Sequence, residues 1–306
     1  MHSSISNSEL PRASLKSIAV LLAALAAGQA VLQVASVWLL SNYGNLELLW
    51  ADERQDTESL KHDGKGVLLI GSSVLLGVDT FDLQWKLPEW TIRRLVMAGT
   101  SYTDWEYSLR RLFREGIKPD YVILTPMPFQ LYGDADRGDY LPLHWLDSRD
   151  IPDLARKKKL GLTATSNLFF AAYNSFFALR DDIRKALLNK ILPGHSVLLA
   201  APADKRVYSD DEAKHIMGDR LAALQTLLTA NGAKLVVLQY PAPKMEKPNI
   251  LLKTAAATRN IPCISAVDSM PESAFRDAYH LSSEGGADFV RALVPVLGRE
   301  LNRLKR

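Results

Sequence analysis

The sequence predicts an α/β three-layer sandwich with a five-stranded, mainly parallel sheet, preceded by one transmembrane helix. Three observations carry this. Residues 17–46 contain no charge and are rich in Ala, Leu and Val. Beyond residue 65, short apolar runs alternate with helix-like segments, and three runs are apolar almost throughout, as strands covered on both faces are. The composition of 306 residues, 47% hydrophobic and 23% charged, supplies a sizeable core and excludes a disordered tail or a disulfide miniprotein. The single cysteine, Cys263, excludes an internal disulfide and a thiolate zinc cluster. A net charge of +3 gives no global argument for nucleic acid, and none is expected as a partner.

Taken in order, residues 1–16 read as a cytoplasmic tail, 17–46 as the anchor, 47–65 as a polar linker and 66–306 as the folded domain. About 20 apolar residues cross a bilayer. Gln29 and Gln33 interrupt the run without ionising, and Trp38 and Tyr43 suit a membrane–water interface. Arg12 and Lys16 precede the run, whereas Glu47, Asp52 and Glu53 follow it. The positive-inside rule therefore keeps the N-terminus inside the inner (cytoplasmic) membrane and places the domain in the periplasm or outside, as a single-pass protein. A signal peptide cleaved near Ala24, Ala26 and Ala27 is the rival reading. A buried soluble helix is disfavoured because the apolar character goes all round.

Five strands are expected at 67–73, 91–99, 121–126, 234–241 and 263–268, with helices at Asp104 to Glu115, Ser209 to Asn231, Asn249 to Arg259 and Ser282 to Arg303. Ser209 and Glu212 form a capping-box pattern, and Gly232 is a fitting helix stop. The stretch around 133–207 is too long for a simple crossover and reads as a helical insertion. Within it Phe169, Phe170, Tyr173, Phe176 and Phe177 fall on one face of an amphipathic helix, with Lys157, Lys158 and Lys159 before it and Arg180, Arg184, Lys185 and Lys190 after. Packing on the domain is the plain expectation; a lid or an interfacial helix against anionic lipid is the sharper one.

The chemistry-bearing residues lie at the two ends of the domain. The first strand is expected to end in Gly71-Ser72-Ser73, and small residues at a strand's C-terminal edge leave a hydroxyl exposed where α/β folds bind ligands. A serine needs a base within hydrogen-bond reach and a third group to orient that base. Asp277 and His280, three apart and followed by Ser282, a fitting cap for the last helix, can supply both. His144, His195 and His215 are scattered without metal-ligand spacing, and the acidic loop with Asp134, Asp136 and Asp139 lacks the register of a calcium loop. No Walker A motif or dinucleotide fingerprint is present, so neither metal nor cofactor is expected.

On these residues the sequence resembles the SGNH (GDSL-type) hydrolase superfamily, over roughly residues 65 to 303 in segment order. The resemblance implies a flavodoxin-like sheet, Ser73 in IGSSVLLGVD as nucleophile, with Ser72 where an acidic residue is more usual, and Asp277 and His280 as the C-terminal Asp-x-x-His pair. It also implies an oxyanion hole from the backbone N–H groups of Ser73 and of Gly99 in VMAGTSYTDW. One block departs from the family: an Asn usually donates there, whereas Thr125-Pro126-Met127-Pro128-Phe129-Gln130 has none, leaving Gln130 or Thr125 as possible third donors. With an anchor, the pattern is similar to membrane-tethered envelope members, such as teichoic acid D-alanyl transfer proteins and polysaccharide O-acetylation partners. That similarity implies acyl-ester chemistry on an acylated glycan or a lipid-linked substrate at the bilayer, as esterase or O-acyltransferase, beside a multispanning membrane O-acyltransferase. A non-catalytic scaffold or glycan-binding protein of the same fold is the alternative.

Overall fold

The computed structural model describes residues 12–43, 57–61, 65–96, 99–133, 146–174, 176–178, 180, 184, 188, 207–243 and 247–305. The acidic loop with Asp134, Asp136 and Asp139, most of the linker, and His144, His195, Lys185 and Lys190 lie outside the described residues.

Helix α1 (Arg12–Tyr43) contains a stretch, Lys16–Ala35, of mean hydropathy 2.1 that is long and apolar enough to cross a membrane, with none of it buried in protein. The sheet follows. Strands β1 (Gly66–Gly71), β2 (Thr91–Val96), β3 (Tyr121–Thr125), β4 (Lys234–Gln239) and β5 (Cys263–Ser265) are all parallel, in the order β2-β1-β3-β4-β5. Each strand ends earlier than its apolar run suggests. Ser72 and Ser73 leave β1 because the chain turns at once into a 3-10 helix, Ser73–Gly77, and β5 pairs with β4 through three residues only.

Around the sheet lie α2 (Thr80–Lys86), α3 (Tyr102–Arg114), α4 (Pro128–Tyr132), α5 (Ile151–Lys157), α6 (Leu162–Tyr173), α7 (Asp210–Ala230), α8 (Lys247–Ala257) and α9 (Ser283–Lys305). Alternate strand residues feed two cores. Leu68, Ile70, Val122, Leu124, Leu235 and Val237 pack with α3, α7 and α8, whereas Val67, Leu69, Ile123, Val236 and Leu238 pack with α2 and α9. Both faces are covered, which is why the central strands are fully apolar.

Local chemistry sets the helix ends. Asp79 caps α2 by accepting from the Phe81 and Asp82 N–H groups, and Ser101 and Asp104 form a reciprocal capping box on α3. Ser209 accepts from the Glu212 N–H at the start of α7. At its end Gly232, with φ +81°, lets the Ala233 N–H reach back to the Leu228 carbonyl.

The insertion is fastened by charge. In α5, Lys157 reaches Glu106 at 2.7 Å and Asp153 bonds both Arg110 and the Tyr107 hydroxyl of α3 at 3.1 Å. The expected single aromatic face is broken. Helix α6 stops at Tyr173 because Asn174 turns extended (φ −135°, ψ 96°) and its Oδ1 accepts from the Phe177 N–H, starting a new turn. Phe176 and Phe177 pack on the core, whereas Phe170 and Tyr173 stay exposed.

Candidate active site

In this strand order the chain leaves β1 toward β2 and later returns to β3 on the other side, so a crevice opens beyond the C-terminal ends of β1 and β3. Ser73 stands there. As the first residue of its 3-10 helix it has a backbone N–H with no partner inside the helix. Ser72 differs: it is 1% exposed and its hydroxyl is buried without a partner, so of the two serines only Ser73 is open to a ligand.

The structure brings Ser73, His280 and Asp277 together from positions more than 200 residues apart. His280 Nε2 lies 2.8 Å from Ser73 Oγ, and Nδ1 lies 2.9 Å from both Asp277 oxygens. An ionised carboxylate only accepts, so Nδ1 carries the proton and Nε2 presents its lone pair to the serine O–H. The Tyr279 and His280 N–H groups both donate to Asp277 Oδ1, and with the imidazole they hold this carboxyl down at about 2, from an ordinary 3.8.

A carboxyl depressed by folding stabilises the native state above its unfolded value, and the contribution is lost as pH falls through the folded one. The urea midpoint difference between the parent and Asp277→Asn is therefore expected to shrink from about pH 4 downward and to be lost as pH falls through about 2. Activity lost at less acidic pH has to come from another group.

The loop that carries His280 is closed on itself. Phe275 and Leu281 form an antiparallel bridge, the Arg276 N–H donates to the His280 carbonyl, and the Leu281 N–H donates to the Tyr240 hydroxyl at 3.2 Å. Burial pushes the Tyr240 phenol up to about 12, so it stays a neutral hydroxyl. Ser282 Oγ donates to the Ala274 carbonyl and accepts from the Gly285 N–H, which caps α9.

Gly99 opens the turn after β2 with φ +71°, a conformation that favours glycine. The next residue ties that turn to the strand that leads to Ser73: Thr100 Oγ1 donates to the Gly71 carbonyl and accepts from Trp105 Nε1, both at 3.1 Å. Gly71 itself lies so close to β3 that a Cβ would meet the Thr125 carbonyl at 2.8 Å.

Ser73 and His280 open into a cleft of about 940 Å³ that also takes in Asp79, Phe81, Arg94 and Arg276. Gly99, Thr125 and Gln130 do not line it. Thr125 Oγ1 is buried without a partner, and Gln130 Oε1 accepts from the Met127 N–H. His215 is elsewhere, 3.3 Å from Asp219 on α7.

Sequence reasoning did not find Thr100, Trp105, Tyr240, Arg94 or Arg276. The sequence did hold a signal for Gly285 and Gly286, two adjacent glycines where a helix should start. A Cβ at Gly285 would overlap the Ala274 carbonyl oxygen and one at Gly286 that of Gly77.

No protein-family model matches the chain, and no curated protein matches it. Among solved structures, the chain is similar to the acetylxylan esterase Axe2 from Geobacillus stearothermophilus, at 14% identity and a TM-score of 0.37, covering 79% of this chain and 96% of that one. A structure of TesA matches at 14% identity and a TM-score of 0.39, covering 76% and 98%. LAE5, an alpha/beta hydrolase enzyme from the metagenome of Lake Arreo, Spain, matches at 12% and 0.40, covering 78% and 98%. At these scores the likeness carries no weight in assigning chemistry.

Proposed function

We propose that this chain is a membrane-anchored serine esterase or O-acyltransferase of the SGNH type, acting on acyl esters of a cell-envelope glycan. The observation that supports it is the unbroken relay from Ser73 Oγ through His280 to Asp277 at the mouth of the cleft. Ser73 attacks the acyl carbonyl while His280 Nε2 takes its proton, and Asp277 holds the imidazole in the productive tautomer. The backbone N–H of Ser73, which has no partner inside its 3-10 helix, receives the oxyanion. The tetrahedral adduct expels the alkoxide, which takes the proton from His280, and an acyl-serine remains. Water attacking that ester completes hydrolysis; a sugar hydroxyl completes transfer. Neither route needs a cofactor.

The non-catalytic alternative draws on the third block. Thr125 Oγ1 is sealed and Gln130 does not line the cleft, so no side-chain donor from this block stands in it. Loss of one oxyanion donor costs about 2.7–4 kcal/mol, which makes a slow enzyme and not an inert one.

The test is acyl release by the detergent-solubilised full chain from p-nitrophenyl acetate and from acetylated oligosaccharides, with and without added unacetylated acceptor. Release to water supports an esterase, and acceptor-dependent release a transferase. A folded protein that releases nothing from any of them contradicts both. In the same reading α1 crosses the inner membrane with the domain outside, so a reporter fused after Lys65 is expected to be active only beyond the cytoplasm; cytoplasmic activity contradicts that placement.

A further inference from the structure

We propose that α6 is embedded in the bilayer beside α1, so that the domain is held to the membrane at two places; this rests on the reading of α1 as a membrane anchor. From Leu160 to Leu179 the chain carries no charged residue, with Lys158 and Lys159 before this stretch and Arg180 and Arg184 after it. Helix α6 turns Leu168 and Ala171 into the core but leaves Leu162 85%, Phe170 62% and Tyr173 72% exposed. Large apolar groups gathered at one place on a surface call for a non-aqueous neighbour.

The position of α6 identifies that neighbour. Asn174 Nδ2, just past the end of α6, donates to Gln29 Oε1 of α1 at 2.9 Å. A shallow groove between the helices is lined by Leu25, Gln29, Ser166, Phe169, Phe170 and Tyr173, with Asn174 at its end. Gln29 and Leu25 belong to the apolar stretch Lys16–Ala35. Counting back from Ala35 at about 1.5 Å per residue, Gln29 lies about 9 Å and Leu25 about 15 Å inside the end of that stretch. Phe170 and Tyr173 share the groove with Leu25, and the Tyr173 hydroxyl, donating to Ser148 Oγ at 2.9 Å, marks the polar edge of the apolar face.

A twelve-residue helix is about 18 Å long and cannot span a core of about 30 Å, so α6 enters without crossing. The hydrogen bond between Gln29 and Asn174 gives Gln29 Oε1 and Asn174 Nδ2 a partner that hydrocarbon could not supply, while Gln29 Nε2 is buried without one. Lys158 and Lys159 before the uncharged stretch suit the headgroup level, while after it Arg180 and Arg184 flank Asp181 and Asp182, a charged but balanced end. A membrane-spanning partner protein could cover the same face, but the groove's other wall is already a helix of this chain.

The experiment uses the full chain in phosphatidylcholine–phosphatidylglycerol vesicles, in a Cys263→Ala background, with an environment-sensitive fluorophore on Leu25→Cys, Phe170→Cys, Tyr173→Cys or Thr226→Cys. Nitroxide-bearing lipids are expected to quench positions 170 and 173 like position 25, and several-fold more than the exposed control at 226. Quenching at 25 with 170 and 173 behaving as 226 overturns the proposal while leaving the anchor intact. Blue-shifted emission at 170 without lipid quenching means a protein cover, and overturns it too. Absence of quenching at 25 overturns the anchor reading and this proposal together.

Discussion

Replacing Ser73 by alanine is expected to lower ester turnover by about six orders of magnitude, and His280→Ala by a similar factor. The two act as one unit, because the serine is a weak nucleophile until Nε2, 2.8 Å away, accepts its proton. The double variant should therefore be no slower than either single one, measured as kcat/KM on one small ester. Asp277→Ala should cost less, because its carboxylate is about half exposed at 48% and water can take some of its place against Nδ1. Ser73 is only half-buried and its hydroxyl bonds His280, so its loss should leave the thermal melt within about 1 kcal/mol of the parent. That contrast separates chemistry from folding, and a non-catalytic scaffold would keep its function through the change.

Gly286→Ala is expected to have a large effect outside the relay. Gly77 ends the 3-10 helix that starts with Ser73, and Gly286 lies in the first turn of the helix that follows His280. The two backbones touch where a methyl on Gly286 would overlap the Gly77 carbonyl oxygen, a fixed atom with no rotamer to yield. Overpacking of this kind costs about 1–3 kcal/mol or more, and the backbone contact puts this site at the upper end. A shift of about 1 Å between Ser73 and His280 is enough to lose roughly a hundredfold in rate. Urea unfolding and ester turnover should fall together, whereas Gly298→Ala, which meets only the Leu87 side chain at 3.2 Å, should be mild in both.

How much of this is readable from the sequence depends on what each residue signals by itself. The strands announce themselves because Leu68 to Ile70, Val122 to Leu124 and Leu235 to Leu238 have to be apolar on both faces of a covered sheet. Their ends do not: Ser72 and Ser73 fit a strand as well as a turn, and only the packing of Leu75 under Gly71 shows that the chain curls into a 3-10 helix there.

The relay is legible in its residue types, since an Asp-x-x-His loop and a Gly-Ser-Ser edge each have few uses together. The residues that hold it are not. Thr100 between the Trp105 indole and the Gly71 carbonyl, and Tyr240 under the Leu281 N–H, are ordinary core residues until the sheet brings them into register. Asn174 likewise looks like one more position on an aromatic face, because its choice to cap the following turn depends on a hydrogen bond that spacing alone does not encode.

The most direct measurement is labelling of the solubilised full chain with a fluorophosphonate, read by mass spectrometry of the modified peptide. Modification on Ser73 that disappears in His280→Ala and survives in Ser72→Ala is the expected result. A folded protein that stays unmodified, or one labelled on another residue while Ser73 remains free, would contradict an activated serine at this site.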